Sequence, residues 1–410
     1  MSWLIRGTGT LLLKKLNNLV SITFCIPSKN NLRYLKSSIK SIQENSTYDN
    51  KIIVWVDSSN DGTLEWLAEN KIDHIINHKD KPQGIAAGYN RCIEAAETDA
   101  VCMFHADMYM AKGFDANLVK HLKPGTVVSA TRIEPPLHPP GLEKIVKDFG
   151  MYPEDFKKDE FANFVDKACV EYKDQVTYGI FAPWACYKSD VLAIGLHDEY
   201  FHSYHEDSDI FNRMILSGMK CVQSRDAFVY HLTCRGGQFQ DGVERITADP
   251  QFHAMTAIAQ RHYLRKWGSW IKNNEYQHPI IPHKYNIAFV VRNCNYNLLE
   301  SLEPWCDRIY IDDDMDVLST TYTQNEQPNT KYDLSKRVLH TKLNDPYSEN
   351  DIVVEFNAKD FDQQAFDIVQ KLSEILTDSG DVGQFELHCF KITINSLQSY
   401  EKDLIVCNIT

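Results

Sequence analysis

Ser21–Pro27 reads SITFCIP, Lys51–Thr63 reads KIIVWVDSSNDGT and Ala100–Asp107 reads AVCMFHAD. Each opens on a run of β-branched, aromatic and aliphatic residues and stops at a proline, an aspartate or a Ser/Asn/Gly turn. That is the pattern of a strand buried on both faces. Between these runs, Leu32–Gln43 carries apolar residues at helical spacing, and Leu64 and Leu67 share one helix face. HIINH (His74–His78) reads as a short third strand, and Gly84–Glu97 as an alanine-rich helix. Strand–helix alternation predicts a mostly parallel sheet covered by helices on both faces. Ligands of such sheets gather beyond the carboxyl ends of the strands, where Pro27, Asp57 and Asp107 fall.

Further along, Glu134–Gly141 (EPPLHPPG) reads as a proline-rich loop, followed by a charged helical insert to about Lys173. An aromatic stretch, YGIFAPWACY, a helix around Asp207–Ser217 and a strand ending at His231 come next. A helical pattern over Ala254–Trp270 is expected to close the first domain. Pro279 and Pro282 punctuate a linker, and a new strand pattern starts at Asn286. The expected organisation is an N-terminal extension over 1–20, a first α/β domain over 21–278 and a C-terminal α/β accessory domain over 279–410.

Composition narrows the function classes. The 43 basic and 56 acidic side chains leave a formal charge of −13 without a dense Lys/Arg run, which disfavours nucleic acid as a partner. Eleven cysteines lack any C-x-x-C pair and read as reduced thiols, not as a zinc or disulfide framework. No apolar run reaches the ~18 residues of a membrane span. The expectation is a cytoplasmic protein, with Met1–Val20 docked on the domain or resting on a membrane surface.

Four motifs carry the chemistry. VDSSNDGT (Val56–Thr63) ends a strand on a carboxylate able to accept hydrogen bonds from a nucleobase. His105-Ala106-Asp107 offers a carboxylate to a divalent cation. HEDSDIFNR (His205–Arg213) clusters three acids at a helix start, one of them suited to taking a proton from a hydroxyl. VYHLTCRGG (Val229–Gly237) places His231 at a strand end. Taken singly, each has a plainer structural reading: a helix cap, a capping aspartate, acids favoured by the helix dipole, or a core histidine.

Together and in this order, the motifs resemble a family-two glycosyltransferase of the GT-A fold from Ser21 to about Gly268. QGIAAGYNRCIEAAETD, IGLHDEYFHSYHEDSDIFNR and RHYLRKWG extend the resemblance. It implies a metal-dependent enzyme that moves a sugar from a nucleoside-diphosphate sugar, UDP-sugar foremost, to an acceptor hydroxyl, with inversion. It implies that Pro27, Ser28, Asp57, Gly84, Asn90, His105 and Asp107 line the nucleotide, with Asp57 accepting from the base. It also implies that Asp107 and His231 hold Mn2+ or Mg2+. Asp207 would be the general base with Glu206 shaping its pocket, while Trp184 and Asp209 would meet a glycan, lipid-linked or protein acceptor. The chain departs from the family's Asp-x-Asp, because His105 holds the first position. A non-catalytic module binding sugar nucleotide or glycan is the alternative. A nucleotidyltransferase ranks below both, since PSKNNLRY after the first strand lacks the glycines of a triphosphate loop.

The tail begins as the first domain begins. IAFVVRNCNYNLLESL with DRIYIDDD parallels SITFCIPSKNNLRYLKSSI with KIIVWVDSS, and NDIVVEFNAKDF parallels TDAVCMFHADMY. This reads as a shortened, degenerate copy of the nucleotide-binding half, with Lys359 where Asp107 stands. An unrelated small α/β domain of like periodicity is the competing reading. Packing, acceptor presentation or homo-oligomer formation is its expected task.

Overall fold

The computed structural model describes residues 21–233, 239–240, 243–244, 249–312, 316–341 and 344–407. The expected N-terminal extension and Cys234–Gly237 lie outside the described residues. The chain forms two compact units. One holds residues up to Ala193, Met219–Val243 and Glu275–His278; the other holds Ile194–Gly218, Glu244–Asn274 and Pro279–Thr410.

The first unit is built on a ten-stranded sheet. Its strands are β1 (Ile22–Ser28), β2 (Lys51–Val56), β3 (Asp73–Ile76), β4 (Ala100–Met103), β5 (Met108–Met110), β6 (Thr126–Glu134), β7 (Lys144–Val146), β8 (Val176–Thr177), β9 (Trp184–Tyr187) and β10 (Lys220–His231). The order is β3-β2-β1-β4-β9-β6-β10-β5, with β7 beside β6 and β8 beside β10. β3, β2, β1 and β4 run parallel, and β9 pairs antiparallel with both β4 and β6. Helices α1 (Leu32–Asn45), α2 (Thr63–Glu69) and α3 (Gly84–Ala95) follow β1, β2 and β3 in turn. The apolar runs read from the sequence become fully buried strands; Phe24, Cys25, Ile26, Val54 and Val101 have no exposed surface. α3 lies close to the sheet because residue 88 is glycine. A Cβ there would sit 2.7 Å from the Trp55 ring and 2.9 Å from Pro27, inside van der Waals contact. Where the sequence suggested a wholly helical insert after the proline-rich loop, a short strand, β7, precedes helix α4 (Lys158–Glu171).

The second unit holds a separate six-stranded sheet: β11 (Ile287–Arg292), β12 (Arg308–Ile311), β13 (Val338–His340), β14 (Ile352–Asn357), β15 (Gly383–Leu387) and β16 (Phe390–Ile394). Its order is β13-β12-β11-β14-β16-β15. β13, β12, β11 and β14 run parallel, and β16 pairs antiparallel with β14 and β15. This is the order and polarity of β3-β2-β1-β4-β9-β6 in the first unit, including the reversed sequence order of the last two strands. The shared path supports the duplicated reading of the tail over mere like periodicity. The same unit contains helices α5 (Glu206–Leu216) and α6 (Pro250–Trp267). Leu264 of α6 joins the apolar core of the second sheet with Phe289, Ile309 and Val354. Arg265 of α6 forks onto the buried carboxylate of Glu303 at 2.7 and 3.0 Å.

Candidate functional site

Strand pairing in the first unit brings together residues far apart in the chain. β5 runs antiparallel to the end of β10, with Met108 opposite His231. Asp107, the residue before β5, accepts the Leu232 N–H at 3.0 Å. Its carboxylate is thereby held 3.5 Å from Nε2 of His231. His105 belongs to the same turn, its carbonyl accepting from Met108 N–H. The two imidazoles meet edge to face, with centroids 5.6 Å apart. Ligand atoms of His105, Asp107 and His231 all lie within 4.8 Å of one another.

The donor set fits a divalent ion. Asp107 and His231 are buried, and Nε2 of His231 is a buried atom without a hydrogen-bond partner. Its nearest acceptor is the Asp107 carboxylate at 3.5 Å, long for a hydrogen bond, and an ion there would take the place of the Nε2 proton. Burial works against a charge on His231, but the carboxylates of Asp107 and Glu134 outweigh it and push its pKa up to about 9. Burial, seconded by the charge of His231, pushes His105 down to about 4, so that ring is neutral with a lone pair to offer. Two imidazoles and one carboxylate suit Mn2+ and other first-row ions better than oxygen-seeking Mg2+.

Sequence reasoning passed over Glu134 as anything but the start of a loop. β6 runs parallel to β10 with Ile133 opposite Tyr230, which sets Glu134 beside His231. Its Oε1 accepts from Nδ1 of His231 at 2.9 Å. Arg132 at 3.0 Å and Lys144 at 3.0 Å hold the carboxylate. Burial opposes its charge, yet His231 and those two cations keep its pKa far below the usual carboxylate range. The only local signal was the charged pair Arg132 and Glu134 inside an otherwise apolar strand.

The expected nucleotide residues cluster at the ends of β1 and β2. Asp57 is buried; Oδ1 accepts from Asn77 Nδ2 at 2.7 Å and Gln83 N at 3.0 Å, and Oδ2 from Gly84 N at 2.9 Å. In this structure its carboxylate anchors the start of α3, where Gly84 has a φ of +86°. Ser28 is buried with its hydroxyl unpartnered, Pro27 packs near Gly88, and Asn90 is buried on α3. Asp61, which the sequence reading left unassigned, receives the Leu32 N–H at 2.8 Å and the Thr63 N–H at 3.2 Å.

Glu206, Asp207 and Asp209 belong to the second unit, on α5. The chain enters α5 through Tyr204 and His205, both left-handed with φ of +74° and +67°, a conformation that costs non-glycine residues of order 1–3 kcal/mol and clusters at functional sites. Asp207 Oδ1 accepts from Ser208 N at 2.6 Å. Burial, and then the charge of Asp207, push the Glu206 carboxyl up to about 8. Asp209, expected to meet an acceptor, is instead fully buried against Arg213 (2.8 Å), Lys266 (2.7 Å) and Trp267 Nε1 (3.0 Å). Trp184, expected to stack on an acceptor sugar, is buried within β9 between Met103 and Ser129. Both serve packing here, because the strand and helix registers turn them inward.

Fold and site together define an α/β sheet protein with a His/Asp/His cluster beyond the carboxyl ends of its strands. Residues 23–177 match the family model for glycosyl transferase family 2, the family that the motifs resemble. No curated protein matches the chain. Among solved structures, GalNAc-T7 with UDP, GalNAc and Mn2+ is similar at 13% identity and a TM-score of 0.42, over 62% of this chain and 51% of that one. The chain thus spans about half of that protein. The mannosyltransferase PcManGT from Pyrobaculum calidifontis, in complex with GDP-Man and Mn2+, is similar at 16% identity and a TM-score of 0.38, over 61% of this chain and 63% of that one. S. aureus TarS 1-349 with UDP is similar at 15% identity and a TM-score of 0.38, over 59% and 72%. Among the described residues, no helix is long and apolar enough to cross a membrane.

Proposed function

We propose that the protein transfers a glycosyl group from a nucleoside-diphosphate sugar, a UDP-sugar foremost, to an acceptor hydroxyl with inversion, using a divalent ion. The observation that carries this reading is the His105/Asp107/His231 cluster, with Asp107 and His231 buried and Nε2 of His231 lacking a hydrogen-bond partner, set beside a glycosyl transferase family 2 stretch. Asp107 and His231 hold the ion in this reading, and His105 completes the set. The ion supplies charge stabilisation for the departing diphosphate. Asp57 keeps the start of α3 in place, and Pro27, Ser28 and Asn90 belong to the same nucleotide-binding end of the sheet. Asp207 takes the proton of the acceptor hydroxyl, while Glu206, whose pKa lies near 8, carries its own proton at neutral pH and spares Asp207 a second adjacent charge. The expected boundary at 278 does not follow the compact units, since Ile194–Gly218 and Glu244–Asn274 belong with the tail; in this reading the first unit binds the donor, and the tail from Pro279 joins copies of the chain or presents the acceptor.

The test is transfer from UDP-sugars with Mn2+ present, in wild type and in Asp207→Asn. Loss of a positioned base typically costs ~10²–10⁴-fold in rate. Transfer should fall by that much while donor affinity, measured by calorimetry, stays within a factor of about two of wild type. Full activity in Asp207→Asn would remove Asp207 from the mechanism. Donor binding without transfer in wild type would favour the binding-module alternative.

A further inference from the structure

We propose that Glu134 is the positioning residue of the metal site, holding His231 by Nδ1–H in the orientation that turns Nε2 toward the ion. The inference rests on the metal reading above and extends it to a residue that touches neither ion nor substrate. Three observations carry it. Glu134 Oε1 lies 2.9 Å from Nδ1 of His231, and both residues are buried. Arg132 donates to Oε1 and Lys144 to Oε2 of the same carboxylate, each at 3.0 Å, so both oxygens are acceptors and Nδ1–H is the donor to Oε1. The other ring nitrogen, Nε2, is left buried without a hydrogen-bond partner and faces Asp107.

The pair is rigid because its acid is fixed from behind. Arg132 reaches both Glu134 and Glu143, and its guanidinium lies 3.6 Å over the Phe181 ring. Lys144, on β7, closes the other side of the carboxylate. A carboxylate that orients a ligating histidine in this way typically contributes ~10–100-fold to metal affinity. The same residue ends β6 and starts the loop Pro135–Gly141, so the path of that loop is tied to the ligand set.

The experiment titrates the full chain with Mn2+ alone, following free ion by electron paramagnetic resonance. Glu134→Ala should weaken binding about 10–100-fold, and Glu134→Gln, whose amide oxygen still accepts from Nδ1–H, should recover most of it. In a His231→Ala background, Glu134→Ala should cost nothing further. An equal cost in both backgrounds would mean that Glu134 acts through the fold at large and would overturn the proposal. Because Glu134→Ala also strips Arg132 and Lys144 of their carboxylate, a second measurement needs no variant. The Nδ1 proton of His231 should appear by nuclear magnetic resonance in the metal-free wild type as a downfield, slowly exchanging signal; its absence would overturn the hydrogen bond itself. The failures are distinguishable. Wild type that binds no Mn2+ removes the metal reading and this role with it, whereas wild type and Glu134→Ala binding Mn2+ equally removes Glu134 alone.

Discussion

The two sheets share one strand path and differ in what stands at its end. In the first, β4 runs into His105-Ala106-Asp107, and the two side chains meet His231 in a cluster whose Asp107 and His231 are buried. In the second, the corresponding β14 runs into Asn357-Ala358-Lys359, where Asn357 caps a short turn by accepting the Lys359 N–H at 3.0 Å and Lys359 is exposed. The second unit buries its charges elsewhere and satisfies them with partners. Asp198 receives Lys266 and Lys331, each at 2.9 Å, and Glu303 receives Arg265 and Arg337 at 2.7 and 2.6 Å. One topology thus supports two uses of buried charge. A set with an unpartnered ring nitrogen on His231 leaves room for a ligand, and carboxylates each paired with two cations cross-link the fold.

The largest expected effect tests the structural side of that contrast. Glu303 is fully buried and bound by two arginines and by the Tyr322 hydroxyl at 2.9 Å. Glu303→Ala takes from Arg337 its paired carboxylate and from Arg265 one of two, the other being Glu326, and should destabilise the protein by about 3–5 kcal/mol in denaturant melts. Mn2+ affinity of the folded fraction should be unchanged. A loss of ion binding at full stability would break the contrast.

Asp107→Asn tests the other side. It should weaken Mn2+ binding by at least about 10²-fold, more than the loss of an outer partner, and leave the melting temperature without added ion nearly as it was. An ion still bound at one per chain would place the site elsewhere.

Glu206 sharpens the comparison, since it is an acid of the second unit whose Oε2 lacks a partner. Its folded pKa of about 8 lies above the ordinary carboxyl value. Below about pH 4 the group is protonated in both states and costs nothing; as pH rises toward 8 only the unfolded chain ionises, so folding is progressively penalised. Glu206→Gln should therefore stabilise the protein at pH 7.5, by up to about 4 kcal/mol for a shift of this size, with the gain vanishing near pH 4. A gain independent of pH would point to packing instead of ionisation.

The smallest effect concerns Lys359→Asp, which installs an acid at the position of Asp107. On an exposed turn it should alter stability by less than about 0.5 kcal/mol, and Mn2+ stoichiometry should stay at one per chain. A second bound ion would show that the tail needs only its acid restored.

Strands, turns and the strand-end acids were legible residue by residue, because burial of a strand and the chemistry of its terminating turn are written in adjacent positions. SITFCIP, KIIVWVD and AVCMF became β1, β2 and β4 near where their apolar runs lie, and the repeat of these runs after Asn286 anticipated the second sheet. The partners of Asp107 were less legible. His231 meets it only because β5 folds back against β10, and Glu134 meets His231 only because β6 lies beside β10. Such pairings join segments far apart in the chain, where local periodicity says nothing about neighbours. Orientation was hidden for the same reason. A period-two strand or a helix register turns Trp184 and Asp209 inward, and which face is inward depends on what packs against it. The amino-acid order set the elements and the chemistry offered at their ends; the packing of distant strands decided which of those groups meet and which are consumed in holding the fold.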